Sequence, residues 1–185
     1  MQIKLISSLE KCFLDEAISD KKEYTYGSCF KNEIFHFGLC YSLEKESKPW
    51  KKYTYLTVES DIAEFVKVSL VEMVPVQHAA DPPADENYLR KNPGLYPDML
   101  KPINPKGRLV FSNNLKSLMV EVDTKGEVKA GSYPITFVFR EEENSENELK
   151  EERKGSCQID KNPFCCLICF EIKLFHFRTN WSFAM

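Results

Sequence analysis

The sequence predicts an all-β protein, an antiparallel β-sandwich with a long crossover loop and an irregular C-terminal tail. Three observations carry that reading. Apolar residues alternate with period two in several short segments, most clearly Phe35, Phe37, Leu39 and Tyr41, then Leu118, Val120 and Val122, then Ile135, Phe137 and Phe139. No long stretch of period 3.6 competes with them. Aromatic residues make up 12% of the chain, with 13 Phe, a bias toward the pleated, half-buried surfaces of strands. Short strands at near-regular spacing, with turn residues between them, are the pattern of sandwiches and barrels.

Taken in order, Ile3 to Ile6 is a first strand, ended by Ser7, Ser8 and the charged pair Glu10-Lys11. Residues 14–22 are polar and read as loop or a short helical turn. Tyr24 to Phe30 has strand character, and a turn through Asn32 leads into the alternating segment 34–41. Lys45 to Lys52 is polar and holds Pro49 and Trp50; Tyr53 to Glu59 alternates again. In Phe65 to Val74 the apolar parity changes between Leu70 and Val71, which requires burial on both faces or a bulge. Gly107 to Phe111 is a short strand and Ser112-Asn113-Asn114 a turn. The segments 118–122 and 135–139, linked through Lys125-Gly126 and Ala130-Gly131, read as the clearest antiparallel pair. At Glu141 the composition shifts to the acidic run EEENSENELKEERK, which has too little apolar content to be buried. The chain therefore divides into a β-sandwich domain over 1–140, an acidic linker or loop over 141–154, expected to be mobile, and an atypical Cys-rich, β-like tail over 155–185.

The stretch Val74 to Leu100 organises the rest. It leaves an apolar run, passes through Pro82, Pro83 and the acids Asp81, Asp85 and Glu86, and ends in a mixture of aromatic, basic and turn residues. Pro93-Gly94 and Tyr96-Pro97 fix the backbone locally, since proline locks its own φ and restricts the residue before it. A stiff loop carrying Tyr88, Arg90 and Tyr96 is expected to be docked, with Arg90 held by a carboxylate or by carbonyls. Its plain reading is a crossover covering an open end of the sandwich.

Composition excludes several functions. A net charge of −3 argues against a nucleic-acid surface and against an anionic membrane as partner. No secretory leader and no membrane-spanning stretch is visible, so the expected location is cytoplasmic, the seven cysteines reduced, and the sequon at Asn180 a chance match. Cys166-Leu167-Ile168-Cys169 is a CxxC, with Cys157, Cys165 and His176 nearby, but Leu and Ile fill its gap and Phe flanks it. Structural zinc sites use tight polar turns, so these cysteines read as buried strand residues and no metal is expected. His36, His78 and His176 are scattered. No GxSxG elbow, GxGxxG loop or P-loop occurs, and no cofactor is expected. The carboxylate pairs lie in the acidic run, without an apolar pocket to tune them. Lys48-Pro49-Trp50-Lys51-Lys52 mixes base and aromatic, as a hairpin tip with snorkelling lysines or as a stacking platform for a sugar or base.

Several segments, in order, carry a resemblance: Ile6 to Lys11, Leu70 to His78, Asp85 to Leu100, Ser117 to Val122, and Ala130-Gly131-Ser132-Tyr133. The most specific part is Tyr88-Leu89-Arg90 followed by Pro93-Gly94-Leu95-Tyr96-Pro97-Asp98. Over about residues 3–140 the chain resembles the N-terminal domain of glycoside-hydrolase-like proteins that carry domain of unknown function 4091, related to the family-123 β-N-acetylgalactosaminidases. The resemblance implies a β-sandwich that packs on a (β/α)8 barrel. In that family the barrel holds an acid pair and cleaves N-acetylhexosaminides with the substrate's own N-acetyl group as nucleophile. Arg178-Thr179-Asn180-Trp181 echoes the approach to the barrel's first strand, but the Cys-rich tail from Gly155 departs from the pattern. The expectation is a domain truncated before its barrel, with no catalytic residue carried over and no activity alone. An exposed apolar face, and with it self-association, is expected where the barrel would sit. Two other readings stay open: a stand-alone carbohydrate-binding module, with Trp50, Tyr88, Arg90 and Tyr96 as substrate-binding candidates, and a protein-interaction domain.

Overall fold

The computed structural model describes residues 1–30, 32–46, 48, 50–80, 86–103 and 107–141, and the backbone of residues 165–175. Two five-stranded sheets face each other. The first is built, from edge to edge, from β1 (Gln2–Ser7), β3 (Ile34–Ser42), β8 (Lys116–Asp123), β5 (Val66–Val76) and β6 (Gly94–Pro102). The second runs β2 (Tyr26–Phe30), β10 (Cys165–Phe175), β9 (Gly131–Glu141), β4 (Lys51–Glu59) and β7 (Arg108–Ser112). Neighbours are antiparallel except β10 and β2, which run parallel. The predicted all-β sandwich is thus the observed fold. Two 3-10 turns, Ile18–Asp20 and Ala63–Phe65, are the helical pieces among the described residues. No described helix is long and apolar enough to cross a membrane, which says nothing of strands.

The alternating residues fill the space between the sheets. Leu118, Val120 and Val122 from β8 and Ile135, Phe137 and Phe139 from β9 are all buried in one core with Phe37, Leu39 and Tyr41 of β3. Aromatic rings meet there in offset and edge-on geometries: Phe37 and Phe137 at 6.0 Å between centroids, Phe111 and Phe139 at 5.9 Å, Tyr41 and Phe111 at 4.6 Å. These are the separations at which the positive ring edge meets the negative face.

One expectation is corrected. β8 and β9 are not a hydrogen-bonded pair: β8 lies between β3 and β5 in the first sheet, and β9 lies between β4 and β10 in the second. Period two reports which face of a strand is buried, and both strands bury theirs in the same core. The connection carries the chain from one sheet to the other, with Lys125 and Gly126 at positive φ of 51° and 73°. Glycine tolerates that region at no steric cost. The parity change in β5 has both of its anticipated causes. β5 is half-buried on both faces over most of its length. The register with β6 also shifts, two residues later than the sequence suggested: Glu72 faces Met99 but Met73 faces Pro97, so Asp98 is the extra residue of a bulge.

The organising stretch also resolves differently from a simple crossover. Its second half, Gly94–Pro102, is strand β6, paired with β5 at the edge of the first sheet. Pro97 and Pro102 are tolerated because an edge strand has one side free of ladder bonds. Residues 81–85 of this stretch, the acidic run Glu142–Lys154 with its expected mobility, and the side chains of the Cys-rich tail lie outside the described residues. The backbone of Cys165–Phe175 is a strand, in keeping with its β-like sequence.

Candidate functional site

The described side chains with chemistry gather on the outer face of the first sheet. After β1 the chain does not turn back. Residues 8–24 form a strap across that face, and backbone bonds pin it near its middle and at its far end: Leu115 N–H donates to the Leu14 carbonyl at 3.4 Å and Tyr24 N–H to the Leu5 carbonyl at 2.9 Å. Beneath it lies a small second core of Ile6, Cys12, Cys40 and Leu115, with Ile18 against it. The strap explains why β3 is buried on both faces from Phe37 to Ser42. Gly38 answers to β1 instead: a Cβ there would sit 2.7 Å from Cγ1 of Ile6, its partner across the ladder.

The strap is held by charge as well. Lys21 is only 7% exposed. Its Nζ lies 2.8 Å from Glu16 Oε2 and 3.3 Å from Glu10 Oε1, and donates to the Lys11 carbonyl at 2.7 Å. Burial pulls this amine's pKa down. The bond to Glu16, the neighbouring Cys12 and the bond to Glu10 outweigh it and hold the amine above its ordinary value.

At the strap's outer end the predicted loop residues arrive. Arg90 makes a two-pronged contact with Asp15, Nη2 to Oδ1 at 2.8 Å and Nη1 to Oδ2 at 3.0 Å, and reaches Glu16 at 3.6 Å. Its guanidinium lies 3.7 Å over the Phe13 ring. Phe13 in turn meets Tyr96 edge-on at 5.5 Å, and the Tyr96 hydroxyl donates to the Asn92 carbonyl at 2.7 Å. The Asp15 bond raises the Arg90 pKa, and the same bond lowers that of Asp15. Residues 89–96 wrap a shallow cleft of about 370 Å³ beside this cluster. Of the four sequence candidates, the structure brings Arg90 and Tyr96 together. Tyr88 lies two residues outside the cluster, 44% exposed, and Trp50 stands at the start of β4 in the other sheet, 70% exposed. Phe13 and Asp15, which complete the cluster, were missed by sequence reasoning. Their signal was faint: a carboxylate pair, Asp15-Glu16, two residues after an aromatic, at the start of a stretch read only as polar.

Exposed surface pairs contribute little, whereas a cation stacked on a ring adds about 0.5–1 kcal/mol. Arg90→Ala is therefore expected to lower stability by about 1 kcal/mol, and Arg90→Lys, which keeps the charge but not the flat stacked fork, to recover only part of it. Chemical denaturation of the two variants beside the parent checks this; an unchanged midpoint for Arg90→Ala would refute it.

Two more concavities are present. A cleft of about 120 Å³ lies between the strap and the sheet, lined by Ser8, Lys11, Cys12, Val71, Pro97 and Asp98 among others. A wider one, about 670 Å³, opens toward the mouth between the sheets, with Leu56, Val58, Val66, Val68 and Ile103 as its apolar wall. Its rim carries an ion cluster: Lys67 Nζ is 2.8 Å from Glu121, and His36 Nε2 is 3.4 Å from the same carboxylate. The Lys67 bond keeps the Glu121 carboxyl below its ordinary range, so it suits a fixed anion rather than a proton donor. Among the described residues no three His, Cys, Asp or Glu side chains converge as metal ligands.

No family model and no curated protein matches the sequence. A solved structure shares the fold. The chain is similar to a family 123 glycoside hydrolase from Clostridium perfringens, studied for glycolipid glycan hydrolysis, with a TM-score of 0.59 and 10% identity over 95% of this chain and 27% of the hydrolase. It thus spans about a quarter of that enzyme's length. AggA, the major subunit of the type I aggregative adherence fimbriae of Escherichia coli, aligns at a TM-score of 0.39 and 9% identity, over 94% of this chain and 93% of that one. The N-terminal domain of PorA aligns at 0.35 and 8%, over 94% and 97%. Scores at that level carry no argument, and 10% identity to the hydrolase establishes a common fold alone.

Proposed function

We propose that this chain is a non-catalytic β-sandwich domain of a glycoside-hydrolase-like protein, and that it packs on a (β/α)8 barrel that cleaves N-acetylhexosaminides. The observation that carries the reading is the match in fold: 95% of this chain aligns with only 27% of a family 123 hydrolase, the relation expected of one accessory domain to a larger enzyme. Four of the five segments quoted above for the family resemblance support it, because they fall on β5, β6, β8 and the strap with the end of β1, the parts that build the outer face of the first sheet; the fifth opens β9 of the second sheet. That face also leaves apolar side chains in solvent, with Leu9 at 88% and Leu100 at 51% exposure. An apolar area of this kind favours a covering partner or self-association. The reading carries with it the cytoplasmic location expected from the sequence.

Glycosidic cleavage needs a general acid at the leaving oxygen and a nucleophile or cation stabiliser opposite, both in a pocket that tunes them. The experiment is an assay of the purified chain on aryl N-acetylgalactosaminide and N-acetylglucosaminide substrates. No turnover above a mock preparation is expected. Turnover that copurifies with the chain through successive columns would overturn the reading.

The exposure of Trp50 and Tyr88 favours a second reading, a carbohydrate-binding module, in which these rings stack on sugar faces. Saturable binding of an N-acetylhexosamine oligosaccharide, lost in Trp50→Ala, would select it over the first.

A further inference from the structure

We propose that the outer face of the second sheet is a docking surface for an acidic polysaccharide, a chain in which uronic-acid carboxylates recur between neutral sugars. Strand register builds the face. Tyr55 of β4 lies opposite Arg108 of β7 on one side and opposite Arg140 of β9 on the other. Directly opposed residues of antiparallel strands share a face. Arg108, Tyr55 and Arg140 therefore form one row across three strands. Their chain neighbours Leu109, Leu56 and Phe139 are buried in the core, which puts the row on the outside. Tyr53, opposite Val110, and Lys51, opposite Ser112, continue the same face along β4.

Tyr53 organises two of the cations. The Arg108 guanidinium lies 3.7 Å over its ring, and Lys51 Nζ lies 5.2 Å from the same centroid. A ring face holds a cation without cancelling its charge. Arg108 and Arg140 are exposed, and so is Tyr55. Among the described residues, neither Lys51 nor Arg140 has a carboxylate within ion-pair distance. Glu141, next to Arg140, lies opposite the buried Thr54 on the inner side and pairs there with Lys52 at 3.0 Å. Lys116 adds to the positive field at the β7 edge. Its Nζ donates to the Val110 carbonyl at 3.4 Å, and repulsion from Lys51 joins burial in lowering its pKa.

The occupant follows from what this face offers. A sheet face presents side chains and no free main-chain groups, whereas an extended peptide is recognised through the main-chain bonds of a sheet edge. A nucleic acid carries a phosphate at every nucleotide, and its binding grows with the number of cations along the track. Here the cations alternate with rings, on a chain whose net charge is −3. A polysaccharide with carboxylates at intervals matches both features. Pyranose C–H faces lie against tyrosine rings, and carboxylates accept from arginine forks.

This face lies on the opposite side of the sandwich from the one proposed to meet a barrel, and it uses neither the strap nor the Arg90 cluster. The inference therefore goes beyond the accessory-domain reading and does not depend on it.

The test is titration calorimetry of the full chain with a hyaluronan oligosaccharide, whose carboxylates fall on alternate sugars, at low and at physiological salt. The expected result is saturable binding that weakens as salt is added. Arg140→Ser and Lys51→Ser should each weaken it by roughly three- to tenfold. Lys101→Ser, which removes a charge from β6 of the first sheet, should leave it unchanged. Tyr55→Ser should weaken it too; if that variant fails to fold, the two charge variants decide. No hyaluronan binding, or binding that Arg140→Ser and Lys51→Ser leave intact, would overturn the proposal. Polyglutamate or single-stranded DNA bound as tightly as hyaluronan would overturn it as well, since the face would then answer to charge alone. A neutral N-acetylhexosamine oligosaccharide bound in place of hyaluronan would also refute it, and would favour the carbohydrate-binding module described above. None of these outcomes alters the result expected of the hydrolase assay.

Discussion

Phe137→Ala is expected to remove about 3–5 kcal/mol of folding stability, the range for emptying a fully buried aromatic site. Phe137 is 0% exposed and sits in the middle of β9, where its backbone neighbours are Val58 of β4 and Ile168 of β10. Its ring meets Phe37 of the opposite sheet at 72° between planes. Truncation leaves a void between two sheets that are each held by their own ladders, so neither can collapse into it. A domain of ordinary stability has only about 5–15 kcal/mol in total. Urea denaturation reads the effect as a lower midpoint at an unchanged slope. A loss of less than about 1 kcal/mol would mean that the core does not close across Phe37 and Phe137 as described.

Lys21→Met is expected to cost about 2–3 kcal/mol, for a different reason. Methionine fills the space but cannot answer Glu16, Glu10 or the Lys11 carbonyl. The partners' carboxylates are about a third exposed, at 30% and 35%, so water makes good part of the loss and the effect stays below that of a fully buried pair. The pH dependence has a definite sign. Because the folded amine is held above its ordinary 10.5, its stabilisation is complete below that pH and fades as pH rises through the higher folded value. Other lysines and tyrosines titrate in the same range, so the informative quantity is the gap in melting temperature between the wild type and Lys21→Met. That gap should be constant from neutral pH to about 10 and narrow above it. A gap that widens on the alkaline side would contradict the assignment.

The strands were legible because period two marks a strand with one buried face, whatever its partners. Ile34–Ser42, Lys116–Asp123 and Gly131–Glu141 lie where the alternation put them. Pairing was not legible, because β8 and β9 show the same alternation whether they lie side by side or face each other across a core. The strap was invisible for a related reason. Residues 8–24 bury Cys12 against Cys40 and Leu115, far away in sequence, and hold Lys21 through Glu10, Lys11 and Glu16 of the strap itself, and their own pattern carries no period. A cysteine at 40 on the second face of β3 was the available sign that something covered it. In the candidate site, Arg90 was legible as a stiffly presented cation and Asp15 was not, since 75 residues separate the two.

The second sheet has the last of its described strands in its interior: β10 lies between β2 and β9, bonded to both. A ribosome making this chain therefore releases β2 and β9 well before the strand that joins them. Twenty-three residues separate Glu141 from Cys165, and at about 5–20 residues per second their synthesis takes roughly 1–5 s. During that interval β9 presents one side of eleven residues as an open ladder, the kind of edge that recruits strands from other chains. The charge density of EEENSENELKEERK, which follows that edge directly in the nascent chain, opposes such pairing by repulsion between copies. On this view the acidic run acts as a gatekeeper during synthesis, at a stage when the finished sandwich does not yet exist.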